Sequence, residues 1–134
     1  MKYLLDTNIC VFVIRRKSTG VVARLEQHAA EEIGISAVTL GELRYGADKS
    51  ERPAQNHAAL DAFLVPLMTV DFDADAADFY GKVRAELERR GTPIGPLDTM
   101  IAAHAICLGI PLVTNNTAEF SRVPGLQLED WTLP

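Results

Sequence analysis

Apolar and polar positions alternate along the chain in two rhythms. Short, largely apolar runs at Tyr3–Leu5, Ile33–Ile35, Leu67–Val70 and Ile110–Thr114 are too brief for helices and end abruptly in polar residues, as buried strands do. Between them the apolar residues recur at helical spacing. A helix is predicted from Ile9 to about Arg16, capped by Thr7 or Asn8. Ser18-Thr19-Gly20 reads as a turn, followed by a helix over Val21 to about Ala30 with Val21, Val22, Leu25 and Ala29 on one face. Ser36 caps a helix to about Asp48. Another runs from Pro53 or Ala54 to Leu64, with Leu60, Phe63 and Leu64 inward. Asp71 or Asp73 caps a long helix to about Arg90, with Ala76, Phe79, Tyr80, Val83 and Leu87 in register. The loop Gly91–Pro96 stops it, and a last helix, Leu97 to Leu108, ends at Gly109. Leu126-Gln127-Leu128 alternates as an edge strand does. Strands alternating with helices imply a mainly parallel sheet covered on both faces. Neither a repeat nor a boundary interrupts the pattern, so residues 1–134 read as one domain.

Four places break the apolar pattern with acid or amide. Asp6 ends the first strand. Glu42 shares a helix face with Val38 and Tyr45, beside a second face of Leu40, Leu43 and Ala47. Asp98 lies in register with Ile101, Ala102 and Ala105. Asn116 and Glu119 follow the strand ending at Thr114. Each has a local alternative: Asp6 as a helix cap, Thr39-x-x-Glu42 as a capping box, Asp98 as a partner of the helix dipole, Asn116 and Glu119 as a polar turn. Topology argues for a shared role, because ligands of open α/β sheets bind outside the carboxyl ends of the strands. Two carboxylates about 4 Å apart repel by roughly 4 kcal/mol at an effective dielectric near 20. Three of them either raise a pKa or hold a metal. An all-oxygen set selects Mg²⁺, or Mn²⁺, over zinc. Such an ion would polarise a phosphodiester oxygen and help generate hydroxide from water. His28, His57 and His104 have no ligand spacing, and His104 reads as a structural core residue.

Composition narrows the setting. Apolar residues are 48% and charged residues 23%, as in ordinary globular chains. Two cysteines, Cys10 and Cys107, form no metal or disulfide framework, so a reducing cytoplasm is expected. The longest apolar run, Ile9–Ile14, is far short of a membrane span. A net charge of −5 argues against broad electrostatic capture of nucleic acid. Local cations at Arg15, Arg16, Lys17 and Lys49 remain candidates for a phosphate-contacting rim, although Arg15-Arg16-Lys17 also suits a helix C-terminus.

Taken together, Leu5-Asp6-Thr7-Asn8, Ser36-x-x-Thr39-x-x-Glu42, Pro93-Ile94-Gly95-Pro96-Leu97-Asp98-x-x-Ile101-Ala102, Val113-Thr114-Asn115-Asn116-x-x-Glu119-Phe120 and the closing Leu128-Glu129-Asp130-Trp131 resemble the PIN-domain ribonucleases, and more closely the VapC toxins of bacterial toxin–antitoxin pairs. The resemblance spans essentially the whole chain. It implies a single PIN domain with a three-layer α/β/α sandwich and Mg²⁺-dependent endonucleolytic cleavage of translation-related RNA, often a tRNA. It also implies a VapB-type antitoxin that blocks the site, toxin homodimers, and operator DNA bound only through the antitoxin. By position, Asp6 and Asp98 match the principal metal ligands, and Glu42 the acid that completes the cluster directly or through water. Thr7, Asn8 and Thr114 match positions that orient ligands or phosphate. Asn116 stands where many members carry a fourth aspartate, with Glu119 three residues on as a substitute.

Two other readings compete. A phosphatase with Asp6 as nucleophile would want a second acid two residues on, where Asn8 stands. A non-catalytic acidic module would bind Mg²⁺ or protein without turnover on RNA.

Overall fold

Strand β1 (Tyr3–Leu5) lies at the centre of an all-parallel sheet, and everything else is arranged around it. The computed structural model describes residues 1–15 and 19–133. Its remaining strands are β2 (Ile33–Ser36), β3 (Met68–Val70), β4 (Leu112–Val113) and β5 (Leu128–Glu129), in the spatial order β3-β2-β1-β4-β5. The strand order reverses between β1 and β4. That crevice, at the carboxyl ends of the strands, is where open α/β sheets place ligands.

Seven helices connect the strands: α1 (Thr7–Ile14), α2 (Thr19–Glu26), α3 (Ala37–Asp48), α4 (Pro53–Leu64), α5 (Ala74–Arg89), α6 (Pro96–Leu108) and α7 (Thr117–Phe120). They cover both faces of the sheet, giving the three-layer α/β/α architecture expected from the alternation. Side chains of successive strand residues point to opposite faces, and β1 shows the consequence. Leu4 enters the core beneath α5 and α6 with Val83, Leu87, Ile101 and Leu112. Leu5 enters the opposite core with Ile9, Ile35, Leu43 and Leu60. Each fully buried leucine stabilises the fold by about 1.5–3 kcal/mol. The tail closes over the second core, where the fully buried Trp131 packs edge-on against Tyr3 at 5.1 Å. No helix among the described residues is long and apolar enough to cross a membrane.

Several boundaries differ from the sequence pattern. Helix α1 begins at Thr7, because Asp6 itself takes the cap position and accepts from the Thr7 amide. Thr19 and Gly20 open α2 instead of forming a turn, and α2 ends at Glu26, followed by a 3₁₀ turn at Ala30–Glu32. Arg16, Lys17 and Ser18 lie outside the described residues. Ser36 and Asp73 cap α3 and α5 as predicted, through bonds to the Val38 and Ala76 amides. Gly109 ends α6 in the left-handed conformation, φ 70°, that favours glycine. The edge strand β5 sits two residues later than expected, because Gly125 turns at φ 81° and Leu126 N donates back to Val123.

Candidate active site

The register of β1 against β4 builds the first corner. Leu4 faces Leu112 and Leu5 faces Val113, so the next pair beyond the strand ends is Asp6 and Thr114. The Asp6 amide donates to the Val113 carbonyl at 2.9 Å, and Thr114 Oγ1 donates to Asp6 Oδ2 at 2.9 Å. Asp6 Oδ1 accepts from Thr7 N at 2.7 Å. The carboxyl is 2% exposed. Capping and site membership are therefore both true of Asp6, one oxygen serving each.

Helix α3 supplies the second corner. Thr7 Oγ1 donates to Glu42 Oε1 at 2.8 Å and lies 3.3 Å from Thr39 Oγ1. Because Ser36 already caps α3, Thr39 is an interior residue, and Glu42 turns toward Thr7 rather than closing a capping box.

The third corner is the start of α6. Pro96 fixes the first turn, leaving Asp98 half-buried near the loop, where a Cβ added at Gly95 would stand 3.6 Å from Asp98 Oδ2. Glu119 on α7 stands beside the Asp98 side chain and opposes its charge. Its Oε1 accepts from Gly95 N at 3.3 Å and its Oε2 from Asn116 Nδ2 at 2.5 Å. The amide at position 116 thus acts on the site by gripping Glu119, while its own backbone N donates to Thr114 Oγ1. Nearby, Asn115 Oδ1 is buried with no hydrogen-bond partner among the described residues.

Burial first, with repulsion from neighbouring acids, shifts the Asp6 and Asp98 carboxyls upward. Asp6 is pushed up to about 6, with Glu42 and Glu119 opposing its charge and the Thr114 and Thr7 bonds partly relieving it. Asp98 is pushed up to about 7 by burial and by Glu119, Asp6 and Glu42. Among the described residues, no ion pair links any of the four acids to Lys, Arg or His. Nor do three or more His, Cys, Asp or Glu side chains among the described residues stand close enough, as placed, to hold a metal ion together. The donor set nevertheless suits a hard divalent cation: it is all oxygen, it is uncompensated, and each carboxylate oxygen has a second lone pair to offer. Asp6 and Glu119 each accept at both oxygens and Glu42 at one, so each of these acids would meet an ion through the lone pairs that these bonds leave.

The structure brings together Asp6, Glu42, Asp98, Asn116, Glu119, Thr7 and Thr114. Asn8 is exposed on the first turn of α1, outside the hydrogen-bonded cluster, and it supplies no second acid for a phosphoaspartate mechanism. Arg15 and Lys49 both line a groove that opens beside Thr7 and Glu42. Arg16 and Lys17 cannot be placed, being outside the described residues. His104 is buried, 2.8 Å from Ser36 Oγ through Nδ1, and is a structural side chain as expected. Thr39 was not singled out by the sequence on its own account, and only a three-residue contact to Thr7 and Glu42 reveals it.

Comparison with known proteins places these features in context. The PIN domain model matches residues 3–126. The chain is 48% identical over 132 residues to the tRNA(fMet)-specific endonuclease VapC of Shigella flexneri, covering 98% of this chain and 99% of that protein. Among solved structures, a DNA-bound VapBC from Salmonella typhimurium superposes with a TM-score of 0.94 at 46% identity, covering 98% of each chain. VapBC2 from Rickettsia felis, bound to a DNA fragment from its promoter, gives 0.92 at 45% identity over 98% of this chain and 99% of that one.

Proposed function

We propose, from the premise that the chain belongs to the PIN-domain family and within it to the VapC ribonucleases, that it is a Mg²⁺-dependent endoribonuclease and the toxin of a type II toxin–antitoxin pair. Translation-related RNA, a tRNA above all, is its substrate. The observation that carries the metal reading is the pair Asp6 and Asp98, set among neighbouring acids and pushed up to about 6 and about 7, with no ion pair to either among the described residues.

Asp6 and Asp98 hold the divalent ion, which Mn²⁺ can replace. When bound, the ion supplies Lewis acidity to a phosphodiester oxygen and acidifies water. Thr114 and the Thr7 amide fix the Asp6 carboxylate. Thr7 Oγ1 orients Glu42, whose second oxygen positions the ion or the attacking water. Asn116 and Gly95 set Glu119 against Asp98. In-line attack of water on phosphorus would form one P–O bond and break the bond to the 3′ oxygen, which leaves as a hydroxyl with a proton from water while the phosphate stays on the 5′ side. A VapB-type antitoxin covers this edge, the toxin pairs as a homodimer, and operator DNA is reached through the antitoxin. The antitoxin and DNA parts of this reading are supported by the solved relatives, which are VapBC assemblies bound to DNA.

The test is one incubation series of purified protein with total RNA. Discrete products with 5′-phosphate ends are expected with Mg²⁺, and none with a chelator or with Asp98→Asn. Cleavage at the full rate by a folded Asp98→Asn protein overturns the reading.

A further inference from the structure

We propose that Tyr45 is a base-stacking residue for the RNA strand entering the site, resting on the ribonuclease reading above. A groove of about 330 Å³ runs between α1, α3 and α4 and includes Thr7 and Glu42 in its lining, so it is continuous with the carboxylate cluster. Arg15 and Lys49 also line it. Glu42, Tyr45, Gly46 and Lys49 follow one another at i, i+3, i+4 and i+7, the spacing of a single helix face.

Tyr45 is 64% exposed, an unusual place for a large ring that shares a face with a site residue. The Lys49 ammonium stands 4.8 Å from the ring centroid, a cation–π arrangement that holds lysine and ring together. Gly46, next in sequence, lines the groove, and a Cβ there would meet nothing within 4 Å. Packing does not require glycine in this helix, where alanine would be the better helix former. Its effect is to keep the groove wall bare beside the ring.

Two local cations suit RNA as the occupant. The net charge is −5 and the site itself is acidic, so a phosphate backbone is repelled unless cations stand along its path. Arg15 and Lys49 are exposed cations in that position. Arg44, by contrast, is held by Asp61 and His57 and has no such freedom. Cations that track a backbone, with an aromatic ring on which a base stacks, are the recurring design for single-stranded nucleic acid. RNA is read mostly through unstacked bases in loops. With Lys49 on one face of the ring, the base stacks on the other.

The experiment uses the RNA segment cut by the wild-type protein, with 2-aminopurine placed at each position flanking the cut. Tyr45→Ala is expected to raise KM by about tenfold or more, with kcat at saturation held within about twofold. Tyr45→Phe keeps the wild-type KM, and Tyr45→Leu behaves like the alanine variant. With Asp98→Asn protein, binding quenches 2-aminopurine at one position, and adding Tyr45→Ala removes that quench. Unchanged KM and quench in Tyr45→Ala overturn the stacking role and leave the nuclease reading standing, even if the groove then proves to hold a partner protein. Failure of the wild-type protein to cut any RNA with Mg²⁺ overturns both.

Discussion

Two parts of this molecule gather carboxylates, and they do so with opposite electrostatics. On the exposed face of α5, Glu86 accepts from Arg89 at 3.1 Å and from Arg90 at 2.8 Å, while Glu88 accepts from Arg84 at 3.0 Å. Those guanidinium bonds hold the Glu86 carboxyl below its ordinary range. At the carboxyl edge of the sheet, Asp6, Glu42, Asp98 and Glu119 are partnered by hydroxyls, amides and each other, and Asp6 and Asp98 are pushed upward. Both places gather carboxylates; what differs is the partner and the burial. The α5 surface pairs its acids within the chain, whereas the sheet edge shows no such ion pair among the described residues.

The contrast can be broken most forcefully at Asp98. Asp98→Asn or Asp6→Ala should lower RNA cleavage by at least about a thousandfold, on the order of 4 kcal/mol of barrier. Glu86→Gln should leave cleavage unchanged in the same assay. The hydroxyls come next. Thr7→Val or Thr114→Val removes a bond that orients a ligand, and Mg²⁺ affinity measured by titration calorimetry should fall roughly 10–100-fold.

Protonation gives a smaller but signed effect. Asp6 and Asp98 bind protons more tightly folded than at their ordinary value of 3.8. Their contribution to stability is therefore complete below about pH 4 and declines as pH rises through about 6 and about 7. Metal-free protein followed by thermal melts should lose Tm between pH 5 and 8. Mg²⁺ should restore it, and Asp98→Asn should flatten the profile. A Tm that rises across that interval without metal would remove the basis of the contrast. The smallest effect belongs to α5, where Glu86→Gln should change stability by no more than about 0.5 kcal/mol, because exposed ion pairs contribute little.

The acids themselves were legible in the chain, because a charge on an apolar face is conspicuous at any register. So was the parallel sheet, since the alternation of strand and helix leaves few other arrangements. What local pattern hid was the hydrogen bonding between distant elements. Thr7 read as a cap, and its bond to Glu42 depends on α1 starting two residues earlier than periodicity suggests. Asn116 read as a replacement for an acid, whereas its grip on Glu119 depends on the geometry of the four-residue helix α7. Tyr45 was grouped with Val38 and Glu42, yet stands out in solvent, because helical spacing fixes a face and not its depth. Strand β4 is shorter than its apolar run because Pro111 has no amide to donate, though its carbonyl still accepts from Leu4.

The bond from Thr114 to Asp6 joins residues 108 positions apart, and this distance has a consequence in time. A chain made from its N-terminus at 5–20 residues per second needs on the order of 5–20 s to add what lies between them. Until then β1 has no β4 beside it, and Asp6 lacks the hydroxyl that orients it. The acid cluster is thus incomplete until residue 114 has been made, a delay that follows from the strand order.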